Sequence, residues 1–295
     1  MSSTPIHDMV EAHAITAQAQ STLDYIERHK DDPVKLAMSG MARCVRQTYL
    51  ATFVHQDRHP LQRGITHSFS TYLLVKFEHG KMYEWQLKKE IAHSLADHEF
   101  AHEPRLGDNT WSGRPDFVIG PSGQFPEGMV LDCKATDKYV FAYTMGRIPR
   151  LSDSLQVLVY QHYLRKERPE YGWPARLYYR GWGQYGEFQI VDDYSCIRYE
   201  GTINGNEVGG EFGTTLADEM ARVDEWWEAS SAPSVEPEDI PGYLSPFDST
   251  FGCLRKKGKK GYSACRWLSE CWPQFEPGNE GPFEWPEEEE YEEVF

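Results

Sequence analysis

The sequence predicts a mixed α/β fold, and three observations lead there. Apolar side chains recur at helical spacing in two stretches near 34–54 and 152–165. Two short apolar runs, 115–119 and 129–133, flank a turn signal and read as adjacent strands. A second pair of strand-like runs then leads into a last amphipathic helix. Helix, strands, helix, strands, helix is the order of a sheet covered by helices.

Residues from about 8 to 30 are polar and helix-prone, and Val34–Val54 forms the next expected helix, with Leu36, Met38, Met41, Val45, Tyr49 and Leu50 as its apolar positions. A third helix should begin near Arg63-Gly64 and run through Leu73, Leu74 and Phe77. Tyr83, Trp85 and Leu87 alternate with polar residues, which predicts a half-buried strand. Strands follow at Pro115–Ile119 and Met129–Cys133, with the turn at Gly120-Pro121-Ser122-Gly123 between them.

The helix at Ser152–Arg165 places Leu155, Leu158, Val159, Tyr163 and Leu164 on one period, and strands return at Ala175–Arg180 and Phe188–Val191. The final helix, Thr215–Ala229, carries Leu216, Met220, Val223 and Trp227, with Thr214 or Thr215 as its cap. Trp173, Trp182, Trp226 and Trp227 read as core residues. From Ser230 to Pro246 the composition turns to Pro, Ser and Glu, a linker signature.

The division this implies is a helical segment over 1–60, a core over 61–230, a linker over 231–248, a cysteine segment over 249–275 and an acidic tail over 276–295. The 295 residues suffice for one large domain with appendages. No apolar run approaches the roughly 18–20 residues of a membrane span, and the N-terminus lacks a signal-peptide pattern, so a cytoplasmic protein is expected. A net charge of −16 argues against a broad basic face for nucleic acid. The charge is uneven: Glu287–Glu290, Glu292 and Glu293 are acidic, whereas Arg255, Lys256, Lys257, Lys259 and Lys260 form a basic patch.

Chemistry concentrates in two runs, Gly113-Arg114-Pro115-Asp116 and Leu131-Asp132-Cys133-Lys134. Residues two apart on a strand share a face, so Asp132 and Lys134 project together and the turn returns Asp116 towards them. Cys133 should point to the opposite face, with its backbone carbonyl still within reach of a metal. Two carboxylates suit Mg²⁺ or Mn²⁺, and a lysine beside them can orient water or stabilise negative charge on a phosphate. Asp-x-Lys alone is a common triplet.

Two further signals accompany it. Gln156 and Tyr160 are four apart, on one face of the helix after the Asp-x-Lys strand. His67 sits upstream in Gly64-Ile65-Thr66-His67. The ordered set resembles the RecB-like branch of the PD-(D/E)xK nucleases. That resemblance implies a mixed central sheet flanked by helices. It makes His67, Asp116 and Asp132 (with the Cys133 carbonyl) the metal ligands, and Asp116, Asp132, Lys134, Gln156 and Tyr160 the catalytic set.

Of six cysteines, Cys253, Cys265 and Cys271 cluster late in the chain, a pattern that reads as a metal site in a reducing compartment. Cys44 lies upstream in Cys44-Val-Arg-Gln-Thr-Tyr49-Leu50. One cysteine before the core and three after it resembles the CRISPR-adaptation exonucleases of the Cas four type and the nuclease domain of AddB. That likeness implies a [4Fe–4S] cluster on Cys44, Cys253, Cys265 and Cys271, held by a helical and loop appendage with a structural role. The last two cysteines have five residues between them, as in the family, whereas eleven separate Cys253 from Cys265, which departs from its much shorter gap. Four thiolates suit Zn²⁺ equally, and buried apolar cysteines are the plain alternative. Cys133 and Cys196 read as such buried residues.

The acidic tail ends Glu292-Glu293-Val294-Phe295. It reads first as a solubilising tail. It also resembles the tails of bacterial and phage single-strand-binding proteins, which dock on replication partners, and it could cover the chain's own basic cleft. The resemblances together imply a DNA exonuclease acting on single strands from an end, in recombination, repair, replication or CRISPR-type adaptation, with a phage as a plausible source. A silent DNA-binding or assembly subunit and a zinc-stabilised duplex endonuclease are the alternatives.

Overall fold

A computed structural model of the protein describes residues 35–38, 71–135, 148–181, 183–229, 254–256 and 262–264. The chain divides into two compact units, the described residues through Ala221 belonging to the first and those from Arg222 to the second. The first unit is a mixed α/β fold built on a seven-stranded sheet.

Among the described residues, strand β1 (Leu36–Ala37) comes first and helix α1 (Thr71–Ser94) follows it. Four short strands come next: β2 (Phe100–His102), β3 (Leu106–Gly107), β4 (Trp111–Gly113) and β5 (Phe117–Ile119). Strand β6 (Met129–Ala135) leads into α2 (Leu151–Glu167), then β7 (Ala175–Gly181), β8 (Gln184–Asp192), β9 (Ile197–Ile203) and β10 (Asn206–Phe212). Helix α3 (Leu216–Ala229) begins in the first unit, and the second contains the hairpin of β11 (Leu254–Lys256) and β12 (Tyr262–Ala264).

The large sheet has the order β10-β9-β8-β7-β6-β5-β2, and a three-stranded sheet has the order β1-β4-β3. Every pairing in the large sheet is antiparallel except β6 with β7. Parallel neighbours need a crossover, and α2 lies on that crossover between β6 and β7. The alternation along β6 then assigns its two faces. Met129, Leu131 and Cys133 join Phe117 and Ile119 in an apolar cluster with Leu87 and Leu95 of the α1 segment. Val130, Asp132 and Lys134 fall on the other face.

Helix α2 buries most of its surface, including Leu155, Val157, Leu158, Val159, Tyr160, Tyr163 and Leu164. The five apolar positions expected on its buried side are all buried. Each such Leu or Val is worth about 1.5–3 kcal/mol against leaving it exposed, so α2 is fixed by packing.

Two expectations of secondary structure are corrected, at Tyr83–Leu87 and at Leu36–Ala37. Tyr83, Trp85 and Leu87 lie in α1, not in a strand. Leu87, Ile91 and Leu95 recur every four residues and pack on the sheet, which is helical periodicity. Trp85, which strand alternation would set beside Leu87, is 61 % exposed.

The strands expected at Ala175–Arg180 and Phe188–Val191 are present within β7 and β8. At the start of α3, Thr215 is the cap. Its hydroxyl accepts from Asp218 N at 3.1 Å and donates to Asp218 Oδ2 at 2.8 Å. Among the described residues, no helix is long and apolar enough to cross a membrane. Leu36 and Ala37, expected near the start of the Val34–Val54 helix, instead form β1, whose pairing with β4 buries Leu36. Apart from 35–38, the N-terminal helical segment lies outside the described residues, as do the linker over 231–248 and the tail over 276–295.

Candidate active site

Strands β5 and β6 pair with Phe117 opposite Leu131. Asp116 sits in the bend just before β5, and its charge acts on Asp132, so the two carboxylates are near neighbours at the mouth of the hairpin. Asp116 is 7 % exposed and Asp132 3 %. Buried carboxylates need partners, and these partners define the site.

Asp116 Oδ2 accepts the backbone N–H of Cys133 at 2.6 Å, which locks it against β6. Its Oδ1 lies 2.6 Å from the ammonium of Lys88 on α1. Lys88 also reaches Glu84 and Glu103, each at 2.9 Å. On the far side, Lys134 Nζ lies 2.5 Å from Asp132 Oδ2. That contact is an ion pair without hydrogen-bond alignment, so Oδ2 is buried with charge beside it but no aligned donor. Lys134 donates instead to Gln156 Oε1 at 2.8 Å, and Gln156 Nε2 donates to Tyr160 Oη at 2.8 Å. The spacing of four on α2 makes this relay possible.

Burial pushes the Asp132 carboxyl up to about 6; the Lys134 charge opposes the rise and the Asp116 charge adds to it. For Lys134, burial works against the cation but is outweighed by the charges of Asp132, Asp153 and Asp116, so its pKa is raised. Lys134 therefore stays an ammonium at neutral pH, a donor that cannot take up a proton. Lys88 is held above its ordinary range because hydrogen bonds to Asp116, Glu84 and Glu103 outweigh its desolvation. Burial, aided by the Asp132 charge, pushes the Tyr160 hydroxyl up to about 12, so it too keeps its proton. The Cys133 thiol is pushed up by burial and points into the apolar cluster, away from the site, as expected.

Five of the expected residues, Asp116, Asp132, Lys134, Gln156 and Tyr160, thus come together. Cys133 contributes its backbone N–H, a role its triplet position did not announce. Cys196 is half-buried just ahead of β9, its sulfur 3.6 Å from Glu211 Oε2, rather than a core residue. His67, Cys44, Cys253, Cys265 and Cys271 lie outside the described residues.

Sequence reading missed Lys88, Glu84, Glu103 and Asp153. Glu84 and Lys88 are four apart, a helical ion-pair signal that the strand assignment of Tyr83–Leu87 hid. Asp153 enters the field of Asp132 and Lys134 from the first turn of α2, and its Oδ2 accepts from Tyr179 Oη at 2.6 Å. Gly113, part of the Gly-Arg-Pro-Asp run, has a steric role that the run did not announce. A Cβ there would lie 2.5 Å from Tyr160 Cε1 and 2.6 Å from Met38 Sδ.

The donors fit a hard divalent cation in type and charge. Carboxylate oxygens are the ligands Mg²⁺ and Mn²⁺ prefer. Glu84, Glu103 and Asp116 meet the Lys88 ammonium, Asp132 meets that of Lys134, and the Asp153 charge reaches the same pair. The unaligned, buried Asp132 Oδ2 is an acceptor still open to a better partner. Among the described residues no three His, Cys, Asp or Glu side chains already stand as a closed metal cage. No protein-family model, curated protein or solved structure matches the chain.

Proposed function

We propose that the protein is a Mg²⁺- or Mn²⁺-dependent deoxyribonuclease with a RecB-like PD-(D/E)xK site, acting on single-stranded DNA from an end. The observation that carries the reading is the connected set Asp116, Asp132, Lys134, Gln156 and Tyr160. The family resemblance picks out these residues; Asp132, Lys134, Gln156 and Tyr160 form one ionic and hydrogen-bonded chain across β6 and α2, and Asp116 is bonded to the adjoining Cys133 N–H.

In this account Asp116 and Asp132 bind the cation, with His67 as the expected third side chain. A bound divalent ion supplies Lewis acidity and lowers the pKa of water. The chain's own residues do the rest. Lys134, fixed as an ammonium by Asp132 and Gln156, donates to the water or to a phosphoryl oxygen and stabilises negative charge that grows there. It is not the base. Gln156 sets the Lys134 rotamer, and Tyr160 holds Gln156 while keeping a proton to donate. The [4Fe–4S] cluster on Cys44, Cys253, Cys265 and Cys271, or Zn²⁺ in its place, remains a structural proposal, as does a replication partner for the tail.

A second reading, a silent DNA-binding or assembly fold, is favoured by one observation: both oxygens of Asp116 already have protein partners. Incubation with end-labelled single-stranded and duplex DNA in Mn²⁺ separates the two. Progressive shortening of the single strand from one end is expected. Tight DNA binding with no cleavage of either substrate would establish the silent reading instead.

A further inference from the structure

Lys88 is the feature that the nuclease reading does not absorb. It rises from α1, on the side of the sheet opposite α2, and its ammonium is the meeting point of Glu84, Glu103 and Asp116 at 2.9, 2.9 and 2.6 Å. Its side chain is only 14 % exposed. A surface lysine paired with one carboxylate is commonplace. An ammonium drawn in from an exposed helix face to three carboxylates, one of them 7 % exposed and on the β5–β6 hairpin, is a cation position. With the Cys133 N–H on Oδ2, it leaves Asp116 no oxygen without a protein partner.

We propose that Lys88 is a resident cation that competes with the divalent metal for Asp116, and that loading of the site requires Lys88 to withdraw from Oδ1. The proposal rests on the reading that Asp116 and Asp132 bind metal. Its physics is exchange of one positive partner for another at a single carboxylate oxygen. Glu84 and Glu103 make the exchange feasible, because they retain the displaced ammonium and spare it desolvation without a partner. Lys88 is thus a positioning residue. Without metal it ties Asp116 to α1. With metal it stays between Glu84 and Glu103.

The test is Mn²⁺ binding to the full chain, measured by calorimetry in wild type, Lys88→Met, Lys88→Arg and Lys89→Met. Lys89 is the control for net charge, since its ammonium lies over the Trp85 ring, 3.8 Å from the centroid. Lys88→Met should bind Mn²⁺ about ten- to a hundredfold more tightly, the worth of a charge-assisted hydrogen bond that no longer has to be broken. Lys88→Arg should stay near wild type, because it keeps the pairing, and Lys89→Met should stay within about twofold.

A Lys88→Met affinity equal to wild type, or equal tightening in Lys89→Met, overturns the competition. A second measurement needs no variant: saturating Mn²⁺ should raise amine acylation of Lys88 in wild type while leaving Lys89 unchanged, and an unaltered Lys88 signal counts against the proposal. Asp132→Asn separates the two failures. If it weakens Mn²⁺ binding while Lys88→Met does nothing, only the competition is wrong. If neither wild type nor Lys88→Met binds Mn²⁺, the metal reading falls with it.

Discussion

Lys134 on β6 donates a 2.8 Å hydrogen bond to Gln156 on α2, and this single contact ties the Asp-x-Lys strand to the helix that crosses behind it. Gln156 is held in turn by Tyr160. A change at Gln156 should therefore act through the aim of Lys134. Gln156→Ala should lower the DNA cleavage rate by about tenfold or more, by analogy with loss of one preorganised donor at a catalytic site. Its stability should fall by only about 1–2 kcal/mol. Single-turnover rates and urea denaturation of the same sample separate the effects. An unchanged rate in Gln156→Ala would remove Gln156 from the account.

Gly113 gives a steric test of the same site. Its missing Cβ makes room for the Tyr160 ring at 2.5 Å and Met38 Sδ at 2.6 Å. Both neighbours are buried, so neither can step aside freely. Gly113→Ala should cost about 1–3 kcal/mol by overpacking and displace Tyr160 from Gln156. A thermal melt that matches wild type would show that Tyr160 does not occupy this space.

Asp132 predicts a pH dependence. Burial raises its carboxyl from an ordinary 3.8 to about 6. Between those values the folded chain binds more protons than the unfolded one, so the contribution of Asp132 to stability falls as pH rises from about 4 to about 6. At full effect the loss is up to about 3 kcal/mol. In metal-free buffer Asp132→Asn should lack this fall. Urea midpoints taken across that range check the sign. Wild type gaining stability relative to Asp132→Asn as pH rises would contradict it.

Tyr179 anchors the start of α2 through Asp153. Its hydroxyl lies 2.6 Å from Asp153 Oδ2, and its ring is almost wholly buried. Tyr179→Phe leaves the ring packing intact and deprives a carboxylate of its donor, so it should cost about 1.5–3 kcal/mol. A loss below about 0.5 kcal/mol in denaturant would mean that Asp153 finds water instead.

The core of the site was legible because its chemistry follows strand and helix periods. Asp132 and Lys134 share a face by alternation, and Gln156 and Tyr160 share one by helical spacing. Helix α2 was legible from its apolar positions, and the α3 cap from Thr215. What was missed has physical reasons. Local alternation of Tyr83, Trp85 and Leu87 outweighed the longer period of Leu87, Ile91 and Leu95, so α1 went unread there and Lys88 with it. Strands β9 and β10 carry few buried residues, so no apolar alternation marked them. Their turn did carry a signal, Asn204-Gly205, with φ of 51° and 82° as a two-residue hairpin of the I′ type requires. Contacts such as Lys88 to Asp116 join elements far apart in sequence, and no local pattern encodes them.

The central claim is that Asp132 and Lys134 cut DNA. The most direct measurement is Mn²⁺-dependent digestion of end-labelled single-stranded DNA by wild type, Asp132→Ala and Lys134→Ala, with folding of each checked by circular dichroism. Shortening of the strand by wild type, reduced by about a thousandfold or more in both folded variants, is the expected result. Wild-type cleavage that survives in either folded variant would contradict the account.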